Sequence, residues 1–241
     1  MFEGIKHMGL VLKAIRLIAV VTLTMVGGVS ISIANPVVRL AVDVSENIPN
    51  QVGLVSCVFD QIGFDFEVLE MPWKRAQIAT EHGSVDGFFI AARTAERDSY
   101  AVYSSPLRKI KWFYVTRRGF SNTPEQAAFY DSVFASMRGT RRLQWLKAHL
   151  AEKNSSTKVI AVNTPERGLL DLVKGEVDVV LTNSASFENS RSNFENSEEI
   201  FDLFPVREVE GAVYFGKQFV SKNPDFLSEY NSKAEACRSD Q

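Results

Sequence analysis

Three observations in this 241-residue sequence predict an α/β protein built as two similar lobes, each a mainly parallel sheet flanked by helices. Short apolar runs alternate with helical apolar stripes in the order β-α-β-α-β over residues 37–90, and right-handed crossovers make such a sheet parallel. The same order returns over residues 132–181. Both passages close on the same turn chemistry, His82-Gly-Ser-Val-Asp86 and Lys174-Gly-Glu-Val-Asp178. Each turn leads into a nearly continuous apolar run, the pattern of a strand buried on both faces.

Residues 37–42 read as the first strand, ending in Asp43, with 44–49 as its exit loop. Residues 51–62 carry Leu54, Val55, Val58, Phe59 and Ile62 on one helical stripe, and Gly63 stops the helix. Residues 64–69 alternate like a strand. Pro72 opens a helix through His82, since proline is tolerated in a first turn. Residues 85–90 form the next strand and end at the polar loop Thr94-Ala-Glu-Arg97. A short strand over 100–103 follows. Residues 110–116 read as a first crossing between the lobes, and 121–130 as polar connection or short helix. In the second lobe, 132–137 is a strand and Thr140 caps a helix to about Ala151, with Leu143, Leu146 and Leu150 on one face. Residues 158–162, 165–174 and 177–181 follow as strand, helix and strand. Seven-residue spacing predicts Phe187 and Phe194 on one helix face, as core packing. Residues 206–215 are the return crossing, and Asn223-Pro-Asp225 starts a last helix to about Cys237.

The stretch from Gly83 to Pro106 contains Gly83, Asp86, Gly87, Thr94, Arg97, Ser104 and Pro106 at the spacing G-x-x-D-[AG], strand, T-x-x-R, S-x-P. In this it resembles solute-binding protein family 3, the extracytoplasmic receptors for amino acids and similar polar solutes. Gly175 and Asp178 match the family's second-lobe strand. The resemblance implies a two-lobed periplasmic binding fold of type II with two crossing strands at the hinge. It divides the chain into a signal peptide (1–34), a first segment of lobe 1 (35–113), lobe 2 (114–208) and a return to lobe 1 with a C-terminal helix (209–241).

The resemblance makes Arg97 the partner of a ligand carboxylate, which a guanidinium binds through two parallel hydrogen bonds; the plainer reading is a surface arginine paired with Glu96 or Asp98. Thr94 belongs to the same element. Arg93 faces either the cleft or the outside. Trp73 is a candidate aromatic surface against the ligand, or a core tryptophan. Arg75 beside it is a candidate second cation, or a solvated first-turn residue. The resemblance lets Asp43 meet a basic ligand group, although it can equally cap its turn. Thr140 matches a Gly-Thr element whose hydroxyl and free N–H groups can hold a carboxylate, besides capping its helix. Asn183 stands where amino-acid receptors place an aspartate for the ligand's ammonium, and Ala92 stands where a hydroxyl is common.

Composition is that of an ordinary soluble domain, and a net charge of −2 with scattered Lys and Arg gives no nucleic-acid surface. Lys6, Lys13 and Arg16 precede an apolar run over 17–26, and Ser32-Ile33-Ala34 offers small residues at a cleavage point. This is the pattern of a secretory signal peptide; the alternative is a membrane anchor, for which the run is short of the ~20 residues a span needs. Met8 is an alternative start. The expected location is therefore periplasmic, where Cys57 and Cys237 can form a disulfide or remain as two buried thiols. Neither these cysteines nor His82 and His149 have metal-ligand spacing, and HExxH, P-loop, GxSxG and GxGxxG motifs are absent. No cofactor is expected.

The leading expectation is a monomeric receptor that captures a small carboxylate-bearing solute for an ABC permease. Two alternatives stand beside it: an orphan sensor without a transport role, and an enzyme on the same fold. Cyclohexadienyl dehydratase shares that fold, and its chemistry needs a cleft carboxylate such as Asp43 or Glu46. The mature protein is expected to begin at Asn35. N-terminal sequencing of the exported form checks this, and recovery of residues 17–26 in a membrane fraction refutes it.

Overall fold

The structure is a computed structural model that describes residues 37–44 and 48–238. The predicted signal segment and Glu46 lie outside the described residues. In chain order the first half contains β1 (Val38–Asp43), α1 (Ile48–Ile62), β2 (Phe66–Met71), α2 (Trp73–Glu81) and β3 (Gly87–Ala92). Then come α3 (Ala95–Tyr100), β4 (Ala101–Tyr103) and β5 (Arg108–Arg117). A 3-10 turn (Ala127–Asp131) leads to β6 (Phe134–Met137), α4 (Arg141–Glu152), β7 (Val159–Val162), α5 (Pro165–Val173) and β8 (Val179–Asn183). The chain ends with α6 (Ser184–Arg191), α7 (Ser197–Ile200), β9 (Phe201–Gly216), α8 (Lys217–Lys222) and α9 (Phe226–Ala234).

The strands pair in the order β2-β1-β3-β9-β5-β8-β6-β7, with β4 added on β9. β1 runs parallel to both β2 and β3, and β6 runs parallel to both β7 and β8. Each lobe is thus the same β-α-β-α-β unit with its first strand in the middle. Between the two parallel triplets lie β5 and β9, which pair antiparallel along their length.

The repeated turn explains both the duplication and a shift in register. Gly83 and Gly175 take positive φ of 71° and 76° after α2 and α5, a conformation in which a Cβ is strained. Three residues on, the Asp86 carboxylate accepts from the Arg39 amide at 2.8 Å, and that of Asp178 accepts from the Val133 amide at 2.9 Å. Each aspartate therefore pins the entry of its lobe's central strand. The turn occupies the residues up to the aspartate, so β3 and β8 begin two residues later than the apolar runs predict.

Three further expectations are corrected. The polar stretch after β3 is the helical turn α3, because the Thr94 hydroxyl caps it by accepting from the Arg97 amide. α6 ends at Arg191, so Phe187 and Phe194 do not share a helix face; both rings nonetheless meet Phe201, at 5.8 and 5.6 Å. The return strand is longer than predicted, beginning at Phe201. Gly211 lets it pass between its neighbours, since a Cβ there would come within 2.6 Å of Ile90 and Ile110 side-chain atoms.

The C-terminal helix returns to the first lobe. Phe226, Tyr230 and Ala234 of α9 are buried with Val55, Val58 and Phe59 of α1 in one apolar cluster. Burying each of the larger side chains stabilises by about 1.5–3 kcal/mol. At the end of this contact Cys57 and Cys237, 180 positions apart in sequence, are joined by a disulfide with their Cα atoms 5.7 Å apart. A loop of that length confines the unfolded chain strongly in the chain-entropy model. Replacing both cysteines by alanine is expected to lower the unfolding free energy by up to about 5 kcal/mol, as read by urea denaturation of the non-reduced protein.

Candidate functional site

In sheets of this kind the crevice lies at the carboxyl ends of strands flanking a switch in strand order. Here two such edges face each other. The cleft between them is lined by Asp43 at the end of β1, Ala91 and Ala92 at the end of β3, Met137 at the end of β6 and Asn183 at the end of β8. Helix starts complete it, with Trp73 from α2 and Thr140, Arg141 and Arg142 from α4. Gln51 from α1, and Ile110 and Trp112 from β5, close its floor and side. The space between these side chains is about 460 Å³, open solvent at the mouth included.

Arg97 is the centre of this cleft and is 2% exposed. Its Nη1 donates to the Ala92 carbonyl at 2.6 Å, Nε to the Gln77 amide oxygen at 3.4 Å, and Nη2 to the Gly139 carbonyl at 3.1 Å. The guanidinium also stands over the Trp73 and Phe88 rings, at 5.2 and 5.7 Å. All these partners are neutral, and among the described residues no carboxylate forms an ion pair with Arg97. Loss of hydration on burial pulls the Arg97 pKa below its ordinary value; Tyr100, Tyr214 and Glu96 act upward, and the Arg142 charge acts downward. An arginine keeps its proton even so, and the result is a desolvated cation on the cleft wall.

Gly139 belongs to the second lobe, and Gln77 Nε2 donates to the same carbonyl at 3.3 Å. Nearer the surface the Gln144 amide donates to Glu96 at 3.1 Å, while Lys74 pairs with Glu96 at 3.2 Å. Met137 enters the first lobe's apolar cluster around Trp73, Ala76 and Phe88. The lobes therefore stand closed on each other.

The other predicted residues divide. Asp43 (3% exposed), Trp73 (8%), Thr140 (7%) and Asn183 (5%) all line the cleft. The Thr140 hydroxyl is committed, donating to the Met137 carbonyl at 2.7 Å and accepting from the Leu143 amide at 3.3 Å. Asn183 caps α6, its carbonyl oxygen accepting from the Ser186 amide at 2.6 Å. Thr94 does not line the cleft; it holds the turn that carries Arg97, its amide donating to the Tyr214 hydroxyl at 3.0 Å. Arg93 faces outward and pairs with Asp98 at 2.9 Å. Arg75 is exposed on α2, away from the cleft, because the helix phase that buries Trp73, Ala76 and Gln77 leaves position 75 outside. The cations that do line the cleft besides Arg97 are Arg141 and Arg142, on the first turn of α4. Their signal was the basic pair directly after Gly139-Thr140. Among the described residues no cluster of His, Cys, Asp and Glu could hold a metal ion.

Two duplicated β-α-β-α-β lobes, a pair of long central strands and a cleft between strand ends make this a two-lobed type II periplasmic binding fold. No family model and no curated protein matches the chain. Solved structures do. Holo ArgBP from T. maritima aligns at a TM-score of 0.66 with 14% identity, over 83% of this chain and 89% of that one. The arginine-, lysine-, histidine-binding protein ArtJ from Geobacillus stearothermophilus aligns at 0.68 with 15% identity, over 83% and 89%. A histidine kinase sensor domain with similarity to periplasmic binding proteins aligns at 0.68 with 14% identity, over 84% and 90%.

Gln77 accepts from the Arg97 Nε–H and, like Arg97 itself, donates to the Gly139 carbonyl of the second lobe. Gln77→Leu keeps the bulk and removes both of these hydrogen bonds, stranding the Arg97 Nε–H in a buried site. A loss of about 1–3 kcal/mol in unfolding free energy is expected, measured by urea denaturation in the absence of added solute.

Proposed function

We propose that this protein is a receptor, not an enzyme, that closes its two lobes on a small solute bearing a carboxylate. It acts outside the cytoplasmic membrane after removal of residues 1–34 and serves an ABC permease as a monomer. We propose lobe boundaries at 35–113, 114–208 and 209–241. The observation that carries the reading is Arg97, a cation 2% exposed in the interlobe cleft whose protein partners are all neutral. A buried charge is costly unless paired, and a carboxylate arriving between the lobes supplies that pairing in a site where water does not compete. Arg141 and the first turn of α4 approach from the other lobe, where helix amides favour negative charge.

The similar structures support binding of a small polar solute, and two of them bind arginine by their descriptions. Asp43 gives this cleft an acidic group that suits a cation. At Asn183, however, the side chain is neutral and its carbonyl already serves the α6 cap. It offers an ammonium no negative charge. We therefore read the carboxylate as required and the α-amino group as optional.

A sensor role without transport is the second reading, favoured by the similarity to a kinase sensor domain. A permease and an ATPase gene beside this one favour transport, whereas a kinase gene favours sensing. A thermal-shift screen of carboxylates on the mature protein identifies the ligand, since ligand at 100 times its Kd adds about 2.7 kcal/mol to folded-state stability. Arg97→Ala is expected to weaken that ligand by roughly 100-fold or more in calorimetry. Unchanged affinity in this variant overturns the reading.

A further inference from the structure

The Trp73 indole offers a second anchor that the carboxylate reading leaves unused. As a stacking surface it is already partly occupied. The Arg97 guanidinium stands over the ring at 5.2 Å, and Phe88 meets it edgewise at 5.5 Å with an interplanar angle of 81°. What remains is the N–H. Nε1 is shielded from solvent and has no acceptor among the described residues, although Trp73 lines the cleft and is 8% exposed. An indole nitrogen only donates, and a buried donor without an acceptor carries a desolvation cost that a bound acceptor removes.

We propose that the Trp73 Nε1–H is a ligand contact that selects solutes with an oxygen beside the carboxylate, namely 2-oxo and 2-hydroxy acids. The inference rests on the assignment of the carboxylate to Arg97. An indole donates within its ring plane, whereas the guanidinium stands off the ring face, so the two donors address different oxygens of one ligand. With Arg97 Cζ 5.2 Å from the ring centroid, one small ligand can reach both donors if its second oxygen lies close to its carboxylate. A 2-oxo or 2-hydroxy oxygen accepts this hydrogen bond. A 2-ammonium group cannot accept it, because it presents N–H against N–H. Among the described residues Asp43 is the carboxylate on the cleft wall that would favour the ammonium, so the amino acid belongs in the test.

The measurement is calorimetry on the mature protein with two matched series. One is 2-oxoglutarate, L-glutamate and glutarate; the other is 2-oxoisovalerate, L-valine and isovalerate. In at least one series the oxo acid is expected to bind about tenfold or more tightly than its two partners. Trp73→Phe should erase that margin, weakening the oxo acid about tenfold more than it weakens the simple acid. The inference fails alone if the simple acid binds through Arg97 but the margin is absent, survives in Trp73→Phe, or favours the amino acid. If none of the six binds, the carboxylate assignment fails with it. A second readout covers misfolding of Trp73→Phe. In ¹⁵N-labelled wild-type protein, with Trp112→Phe and Trp145→Phe for assignment, the Trp73 Nε1–H resonance should move downfield with the oxo acid and not with the simple acid. A resonance that does not move overturns the proposal.

Discussion

A single desolvated cation organises the cleft. Arg97 is held by a strand-end carbonyl, by a helix glutamine and by a carbonyl of the opposite lobe, and it lies against two aromatic rings. Several elements are arranged around that requirement. Thr94 caps the turn that aims it, Tyr214 holds the Thr94 amide, and Gln77 lies on the face of α2 that also buries Trp73. A charge in such surroundings is tolerated because each contact is a hydrogen bond or a π face, and none neutralises it. The cleft wall therefore carries a positive charge that its protein contacts leave in place.

The same site depends on duplication. One β-α-β-α-β unit brings two strand ends to a switch point, and two copies facing each other bring four. The long pair β5 and β9 joins them within one sheet. Asp86 and Asp178 show that the copies share even their local fastening, an aspartate that accepts the entry amide of the central strand.

Much of this was legible in the residues. The alternation of runs and stripes marked the elements, and the two Gly-x-Val-Asp turns marked the repeat. The turns also carried the information that β3 and β8 start late, which apolar content alone concealed, since Val85 and Val177 are buried turn residues. For the site, Arg97 was legible from its motif, and Trp73, Thr140, Asp43 and Asn183 from their places at strand ends and helix starts. Arg75 and Arg93, each left open between the cleft and the outside, both lie outside. Position 75 is off the buried face of α2, and Arg93, past the end of β3, pairs with Asp98. Gln77 was not legible as a partner of Arg97, because nothing local brings α2 and α3 together. Arg141 and Arg142 were visible as a basic pair but became cleft residues through the facing of the two lobes, a property of the whole fold. The break after Arg191 lay hidden beneath a seven-residue repeat of Phe-Glu-Asn-Ser.

The disulfide and α9 have a consequence for the order of assembly. The second lobe is one uninterrupted stretch of chain, whereas the first is completed by β9 and α9 from the far end. Emerging from its N-terminus, the chain can finish the second lobe from nearby contacts while the first still lacks a central strand and the lid over Phe59. Contacts that distant in sequence form late. The half that carries Arg97 and Trp73 is thus the later of the two to become whole, and Cys57 waits unpaired until Cys237 arrives. A first lobe without α9 retains the motif yet lacks the packing that supports it.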